Sequence, residues 1–412
     1  MSTKEFFKVS SLESVLTHLH NFPQTEPETI PIEESLGRIL AKDVISDIDI
    51  PDFNRSTMDG YAVRSRSTFG ASESYPALFN VTGKIKMGEP ARISVKSGEA
   101  VKIPTGGMLP DGADSVVMLE HAELLDEHTI EVYKSAFPLQ HVIEIGEDLR
   151  KGECILSRGR PIRPQEMGVL AALGKSDVPV FKKPVVTIIS TGDEIVDIRE
   201  APALGQLRDV NAYTLTGLVL KSGGHPLYHG IVRDNFDELF SMCEQALSHA
   251  DIVLVSGGSS VGARDFTMEA INALPRSEIL VHGISISPGK PTIIARIGNK
   301  AFFGLPGHVT SAMIVFMKTV QPLIERMGGL SKKYIGEKRE VTATLSRNIA
   351  SVQGRTDFVR VNLLREEGRL VAHPLLGKSG LIRTMVEADG LIEIDINSEG
   401  LDKGSVVTVE LF

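Results

Sequence analysis

The stretch VLVSGGSSVGARDFT, residues 253–267, opens as an apolar run, stops at a glycine pair and passes into a helical pattern. A short apolar run bounded by glycine is the mark of a strand buried on both faces. Working outward, VVTIIS (185–190) is a second such run, and VNAYTLTGLVLKSGG (210–224) reads as a helix stopped by glycine. PLYHGIV (226–232) reads as a strand and NFDELFSMCEQALSHA (235–250) as a helix. Strands alternating with helices predict a parallel sheet covered on both faces. EILVHGISI, TIIARIG, AFFGLPG and a long helix over 308–327 complete the segment.

The surroundings read differently. From 51 to 139 the chain is a series of short strand patterns (GYAV, ALFNVTGKI, GEPARISV, EAVKIP, SVVMLEHAEL, TIEVY) broken by Pro, Gly and Asp, which predicts a largely β insertion. Residues 1–50 and 140–183 are each too short to stand alone, so they are expected to pack together as one discontinuous domain. The first carries an amphipathic helix from Ser11, with Leu12, Val15, Leu16 and Leu19 on one face, and the second a helix in RPQEMGVLAALG, with Pro164 in its first turn and Gly174 as its stop. Residues 331–412 return to strand patterns, predicting a barrel-like β tail. The expected division is 1–50 with 140–183, 51–139, 184–330 and 331–412.

Composition limits the function. The 412 residues are 42% hydrophobic and 24% charged, the balance of a soluble globular protein. A net charge of −9 argues against a nucleic-acid partner, which selects a basic face. No apolar run approaches the roughly 20 residues of a membrane span. Two cysteines, Cys154 and Cys243, fall in no metal or disulfide spacing, which fits a reducing cytoplasm.

In open α/β sheets ligands bind beyond the carboxyl ends of the strands, and three such ends carry unusual residues. In STGDEIV, Asp193 and Glu194 offer hard oxygen donors or a turn cap. In IVRDN, Asp234 stands at the head of a helix as an N-cap or a ligand. In the opening stretch Gly257 and Gly258 permit close backbone approach and Ser259 adds a hydroxyl, a phosphate cradle without the Walker or dinucleotide pattern. Glu194, Asp234 and Asp265 converging on such a loop would repel an anion and one another. A divalent cation, Mg²⁺ by its preference for carboxylate and phosphate oxygens, resolves that conflict.

Further donors lie in SPGKP, with Lys290, and in GRTDFVR and GKSG, with Arg355, Lys378 and Ser379. The insertion adds Asp59, in PDFNRSTMDGYAV, and Thr105, in IPTGGMLPDGADSVV. Each alone is compatible with an ordinary polar turn.

Taken together, RSTMDGYAV, IPTGGMLPDGADSVV, STGDE, SGGSSVGARDFT, PGKP and GLPG before the long helix resemble the MoeA family, the molybdopterin molybdenumtransferases, which share their fold with the E domain of gephyrin. The resemblance covers nearly the whole chain. It implies an α/β multidomain protein: a doubly wound MoCF-type (MogA-like) domain, a β-rich inserted domain, an elongated discontinuous α+β domain and a C-terminal β-barrel-like domain. It implies a homodimer whose cleft joins one subunit's α/β domain to the partner's insertion. The implied reaction hydrolyses the phosphoanhydride of adenylylated molybdopterin, releases AMP and inserts molybdate with Mg²⁺ or a similar ion. The adenylylated substrate implies a MogA-type adenylyltransferase as partner. Asp59, Thr105, Glu194, Asp234, Asp265, Lys290, Arg355 and Ser379 become the expected functional residues, with Gly257, Gly258 and Ser259 as the cradle.

Two departures stand out: Ser287 replaces a basic residue before PGKP, and GLPGHVTSA places His308 and Val309 where Asn-Pro is usual. They leave tungstate beside molybdate as the oxyanion, with His308 expected to be neutral and to make one hydrogen bond. A non-catalytic gephyrin-like scaffold and a phosphohydrolase acting on another nucleotide conjugate are the competing classes.

Overall fold

The alternating segment folds into a six-stranded sheet, in the order His225–Val232, Val185–Thr191, Ile252–Ser256, Lys300–Leu305, Ile293–Ile297, Ser277–His282. In this computed structural model, which describes residues 9–257, 266–335 and 339–412, the first four of these strands run parallel, as the alternation predicts. Ile293–Ile297 runs antiparallel to both neighbours. Only Gly298 and Asn299 separate it from Lys300–Leu305, room for a hairpin but far short of the dozen or so residues of a parallel crossover.

Side chains alternate across this sheet. Ile188, Leu254 and Phe303 share one buried cluster with Leu215 and Val219 of helix α3 (Asn211–Lys221) and with Ala312 and Ile314 of α6 (Val309–Val315). Ile189, Val255 and Phe302 share another with Leu239 and Cys243 of α4 (Phe236–His249) and Ala270 of α5 (Phe266–Ala273). Each such aliphatic or aromatic side chain contributes about 1.5–3 kcal/mol on full burial. The amphipathic helix forms as expected: α1 (Leu12–Leu19) is capped by Ser11 and buries Val15 and Leu19 in the first cluster.

The long helix of 308–327 is interrupted. After α6 comes a π-helical turn, Phe316–Val320, and then α7 (Gln321–Met327). Pro322 has no N–H to offer the carbonyl four residues back, and the Thr319 hydroxyl takes up the Val315 carbonyl at 2.7 Å, so the ladder widens there. The turn buries Lys318, which pairs with Glu410 at 2.6 Å.

The C-terminal strands Thr356–Glu366, Arg369–Pro374, Glu340–Leu345, Val406–Leu411 and Gly390–Ile394 pair in that order, and the last pairs back with the first. The tail is therefore a closed five-stranded barrel, which leaves no unpaired edge.

The structure divides the chain into two compact units. Met1–Lys42, Arg158–Met167 and Ser176–Phe412 form one, with the sheet and the barrel; Asp43–Ser157 and Gly168–Lys175 form the other. The second unit holds a six-stranded sheet built from Ser115–Met118, Gly60–Val63, Glu99–Ile103, Ala77–Lys84, Thr129–Val132 and Ala122–Leu124. Its strands match the expected ones with two differences: SVVMLEHAEL is two strands, Ser115–Met118 and Ala122–Leu124, parted by a 3-10 turn at Leu119–His121, and GEPARISV makes only a single bridge, Ser94 to Asp111. No helix among the described residues is long and apolar enough to cross a membrane.

Candidate active site

The first strand of the α/β sheet, Val185–Thr191, lies between the second and the third. Strand order reverses there, so the flanking connections leave in opposite directions and open a crevice at the carboxyl ends. A cleft of about 930 Å³ occupies this position, within the size range of small-molecule sites.

Glycine shapes its floor. Gly257 has φ +113°, and a Cβ there would stand 2.2 Å from the Thr191 carbonyl oxygen. Only glycine lets these strand ends close together. Its N–H donates to the Leu305 carbonyl at 3.2 Å, tying in the fourth strand. Gly192, at φ +148°, makes the turn over which the Glu194 carboxylate folds, within 2.8 Å of where a Cβ would be.

The carboxylates are placed by these turns. Asp234 does not cap α4: Asn235 does, accepting from the Glu238 N–H at 3.1 Å. Asp234 is thereby left to accept from the Thr191 hydroxyl at 3.1 Å, while its own N–H donates to Asp193 at 3.3 Å. Glu194 and Asp234 are both exposed and both line the cleft.

The same cleft is lined by hydrogen-bond and charge donors. Lys290 is exposed in its turn, whose shape is held by N–H donation from Ile284 and Thr292 to the Lys290 carbonyl. Arg355 lines the cleft but is not a free cation; it pairs with the nearly buried Asp357 at 2.8 Å, and Asp357 also accepts from Ser351. Ser379 lies 2.8 Å from His308 Nδ1 through its hydroxyl, and its carbonyl accepts the Thr310 N–H at 3.0 Å. Among the described residues the His308 ring makes one hydrogen bond, to Ser379, as expected, and Ser287 lines the wall.

The structure thus brings Glu194, Asp234, Gly257, Lys290, Arg355 and Ser379 to one cleft. Gly258, Ser259 and Asp265 lie outside the described residues. Asp59 and Thr105 belong to the other compact unit, where they meet: the Thr105 N–H donates to the Asp59 carboxylate at 2.8 Å. Sequence reasoning missed Asn211, whose side-chain amide bridges the Ser256 hydroxyl (2.7 Å) and the Gly307 carbonyl (2.8 Å) and so ties two strand ends together. An asparagine at a helix start reads as a cap, and nothing in its neighbours signals the bridge.

Among the described residues no group of three or more His, Cys, Asp or Glu side chains is arranged to hold a metal. Glu194 and Asp234 nevertheless fit Mg²⁺ in kind. They are hard oxygen donors at neighbouring strand ends, and Mg²⁺ commonly takes one or two carboxylates and completes its shell with substrate phosphates and water.

Comparison with known proteins agrees with this architecture. Residues 8–174 match the family model of the MoeA N-terminal region (domain I and II), 187–326 that of a "probable molybdopterin binding domain", and 342–412 that of the MoeA C-terminal region (domain IV). The chain is 34% identical over 394 residues to a molybdopterin molybdenumtransferase of Haemophilus influenzae, covering 95% of each. It is 32% identical over 405 residues to that of Bacillus subtilis, covering 97% of this chain and 93% of the other. A crystal structure of a MoeA molybdopterin biosynthesis protein from Pyrococcus horikoshii superposes with a TM-score of 0.83 at 39% identity, covering 98% of this chain and 99% of that one. Matched by three successive family models and by relatives of nearly equal length, the chain belongs to the MoeA family.

Proposed function

We propose that the protein is a molybdopterin molybdenumtransferase acting on adenylylated molybdopterin. The observation that carries this reading is the cleft itself. Carboxylates (Glu194, Asp234) and anion donors (Lys290, Arg355, Ser379) line one cleft at the switch point of a sheet within the segment that matches a probable molybdopterin binding domain.

In this reading water adds across the phosphoanhydride; one phosphate leaves as AMP and the other stays on the pterin. A molybdate oxygen then departs as water with the two dithiolene protons as sulfur binds molybdenum. Mg²⁺, when bound, supplies charge neutralisation of the phosphates. Glu194 and Asp234, with Asp265, would hold it, and the Thr191 hydroxyl donates to the Asp234 carboxylate and fixes its place. Gly257, Gly258 and Ser259 offer backbone and hydroxyl donors to a phosphate. Lys290 and Arg355 attract the oxyanion, Lys290 as an exposed charge and Arg355 with its charge already shared with Asp357. Ser379 adds a neutral donor.

The same reading includes a cytoplasmic homodimer, in which Asp59 and Thr105 of one subunit serve the cleft of the other, and a MogA-type adenylyltransferase that supplies the substrate. The test is AMP release from adenylylated molybdopterin with Mg²⁺ and either molybdate or tungstate, comparing wild type with Glu194→Ala and Asp59→Asn. Release by wild type and its loss in both variants is expected. Equal rates in all three overturn the site, and no release by wild type overturns the activity.

A further inference from the structure

The strand that opens beside Arg355 carries a second arginine, Arg360, that no expectation included. It is 7% exposed, and no carboxylate among the described residues pairs with it. Its guanidinium donates instead to the Gly377 carbonyl at 2.8 Å and to the Thr384 hydroxyl, with the Thr310 hydroxyl at 3.5 Å. Its Nε has no partner among the described residues. Burying a cation against neutral acceptors alone is costly, so a well-packed apolar residue would serve stability better at this position.

What Arg360 touches explains its presence. Gly377 begins the GKSG segment, and Thr384 follows it, so the guanidinium holds both ends of the loop that presents Ser379. The loop is held from its other side by the Thr310 N–H on the Ser379 carbonyl and by His308 on the Ser379 hydroxyl. The contacts to Gly377 and Thr384 tie the barrel strand to the loop, and those of Thr310 and His308 tie the loop and Arg360 to the start of α6 at the rim of the cleft. Burial lowers the Arg360 pKa by desolvation; a guanidinium keeps its proton in proteins, so a positive charge stands behind the loop.

We propose that Arg360 is a positioning residue for the oxyanion end of the cleft: it clamps the Gly377–Gly380 loop on the start of α6 and so sets the Ser379 hydroxyl and the His308 imidazole where they meet the incoming anion. This rests on the function proposed above. Arg360 touches no reacting atom; it acts through Ser379. Its removal therefore weakens the oxyanion and leaves the pterin nucleotide alone.

The test is molybdate binding to the purified full-length protein by equilibrium dialysis, with the KM for molybdate and for adenylylated molybdopterin measured separately. Arg360→Met is expected to raise the molybdate Kd and KM about tenfold, leaving the KM of the pterin nucleotide within about twofold. Ser379→Ala shows the same split, and the double variant is no worse than the worse single one, the non-additivity of residues acting as a unit. Arg360→Lys restores part of the affinity. If Arg360→Met does not fold, Thr384→Val, which removes one acceptor of the clamp, shows a smaller shift in the same direction. An unchanged molybdate Kd in the folded variant, or equal losses for both substrates, overturns the inference alone. A wild type that binds no molybdate overturns the function it rests on, and the inference with it.

Discussion

Two clusters of charge in the same compact unit are built from the same residue types and handled in opposite ways. Glu166, at the start of helix α2 (Pro164–Ala172), has a side chain 3% exposed and is gripped by Arg160 and Arg163, with the Arg163 N–H closing a capping box at 3.0 Å. The Arg163 guanidinium first, and Arg160 with it, hold its carboxyl down to about 2. Glu194 and Asp234 are exposed at strand ends, and neither takes a lysine or arginine among the described residues. A carboxylate satisfied by its own chain stabilises the fold. One left facing a cleft is available to a cation or a substrate, and its removal should cost activity rather than stability.

The largest expected difference is at the cleft. Glu194→Gln and Asp234→Asn should each slow AMP release on the order of 10²–10³-fold, the usual loss for a group that stabilises developing charge. Thermal unfolding should stay within about 2 °C of wild type. A variant that unfolds early with its rate intact places that carboxylate with Glu166.

Next is Glu166→Gln, expected to lose about 2–3 kcal/mol of stability while keeping its turnover, because two arginines are left without their partner. The pH dependence has a definite sign. The folded carboxyl titrates at about 2 against an unfolded value of 4.5, so its contribution is complete above 4.5 and lost as pH falls toward 2. Urea titrations across that window should converge for wild type and Glu166→Gln. A gap that persists at pH 2 assigns the loss to packing.

The smallest expected effect is at Gly257→Ala. Its φ of +113° and the approach to the Thr191 carbonyl force the strand ends apart, costing about 1–3 kcal/mol. Chemical denaturation measures that cost, and a rise in KM for the pterin nucleotide should accompany it. Wild-type values in both would mean that this close approach shapes nothing.

Periodicity carried most of the α/β segment, because four of its strands are buried on both faces and its helices bury one stripe. It could not show that Ile293–Ile297 reverses, which depends on a two-residue connection, nor that Pro322 and Thr319 open a π turn inside a continuous apolar pattern. Of the site, the residues that announce themselves chemically were legible: Glu194, Asp234, Lys290, Arg355 and Ser379 all reach the cleft. Their partners were not. Asp357 neutralising Arg355, Asn211 bridging two strand ends and Arg360 behind the GKSG loop are contacts between segments distant in sequence or buried in a strand that reads as plain β. The capping of α4 by Asn235 rather than Asp234 turns on one residue, a distinction that composition near a helix start does not make.

The strand-end carboxylates are left open for Mg²⁺ and substrate. That role is tested most directly by the Mg²⁺ dependence of AMP release from adenylylated molybdopterin, compared between wild type and Asp234→Asn. Half-saturation should move to about tenfold higher Mg²⁺ or more in the variant, as when a metal site loses a group that orients it. An Mg²⁺ dependence identical in both proteins would contradict it.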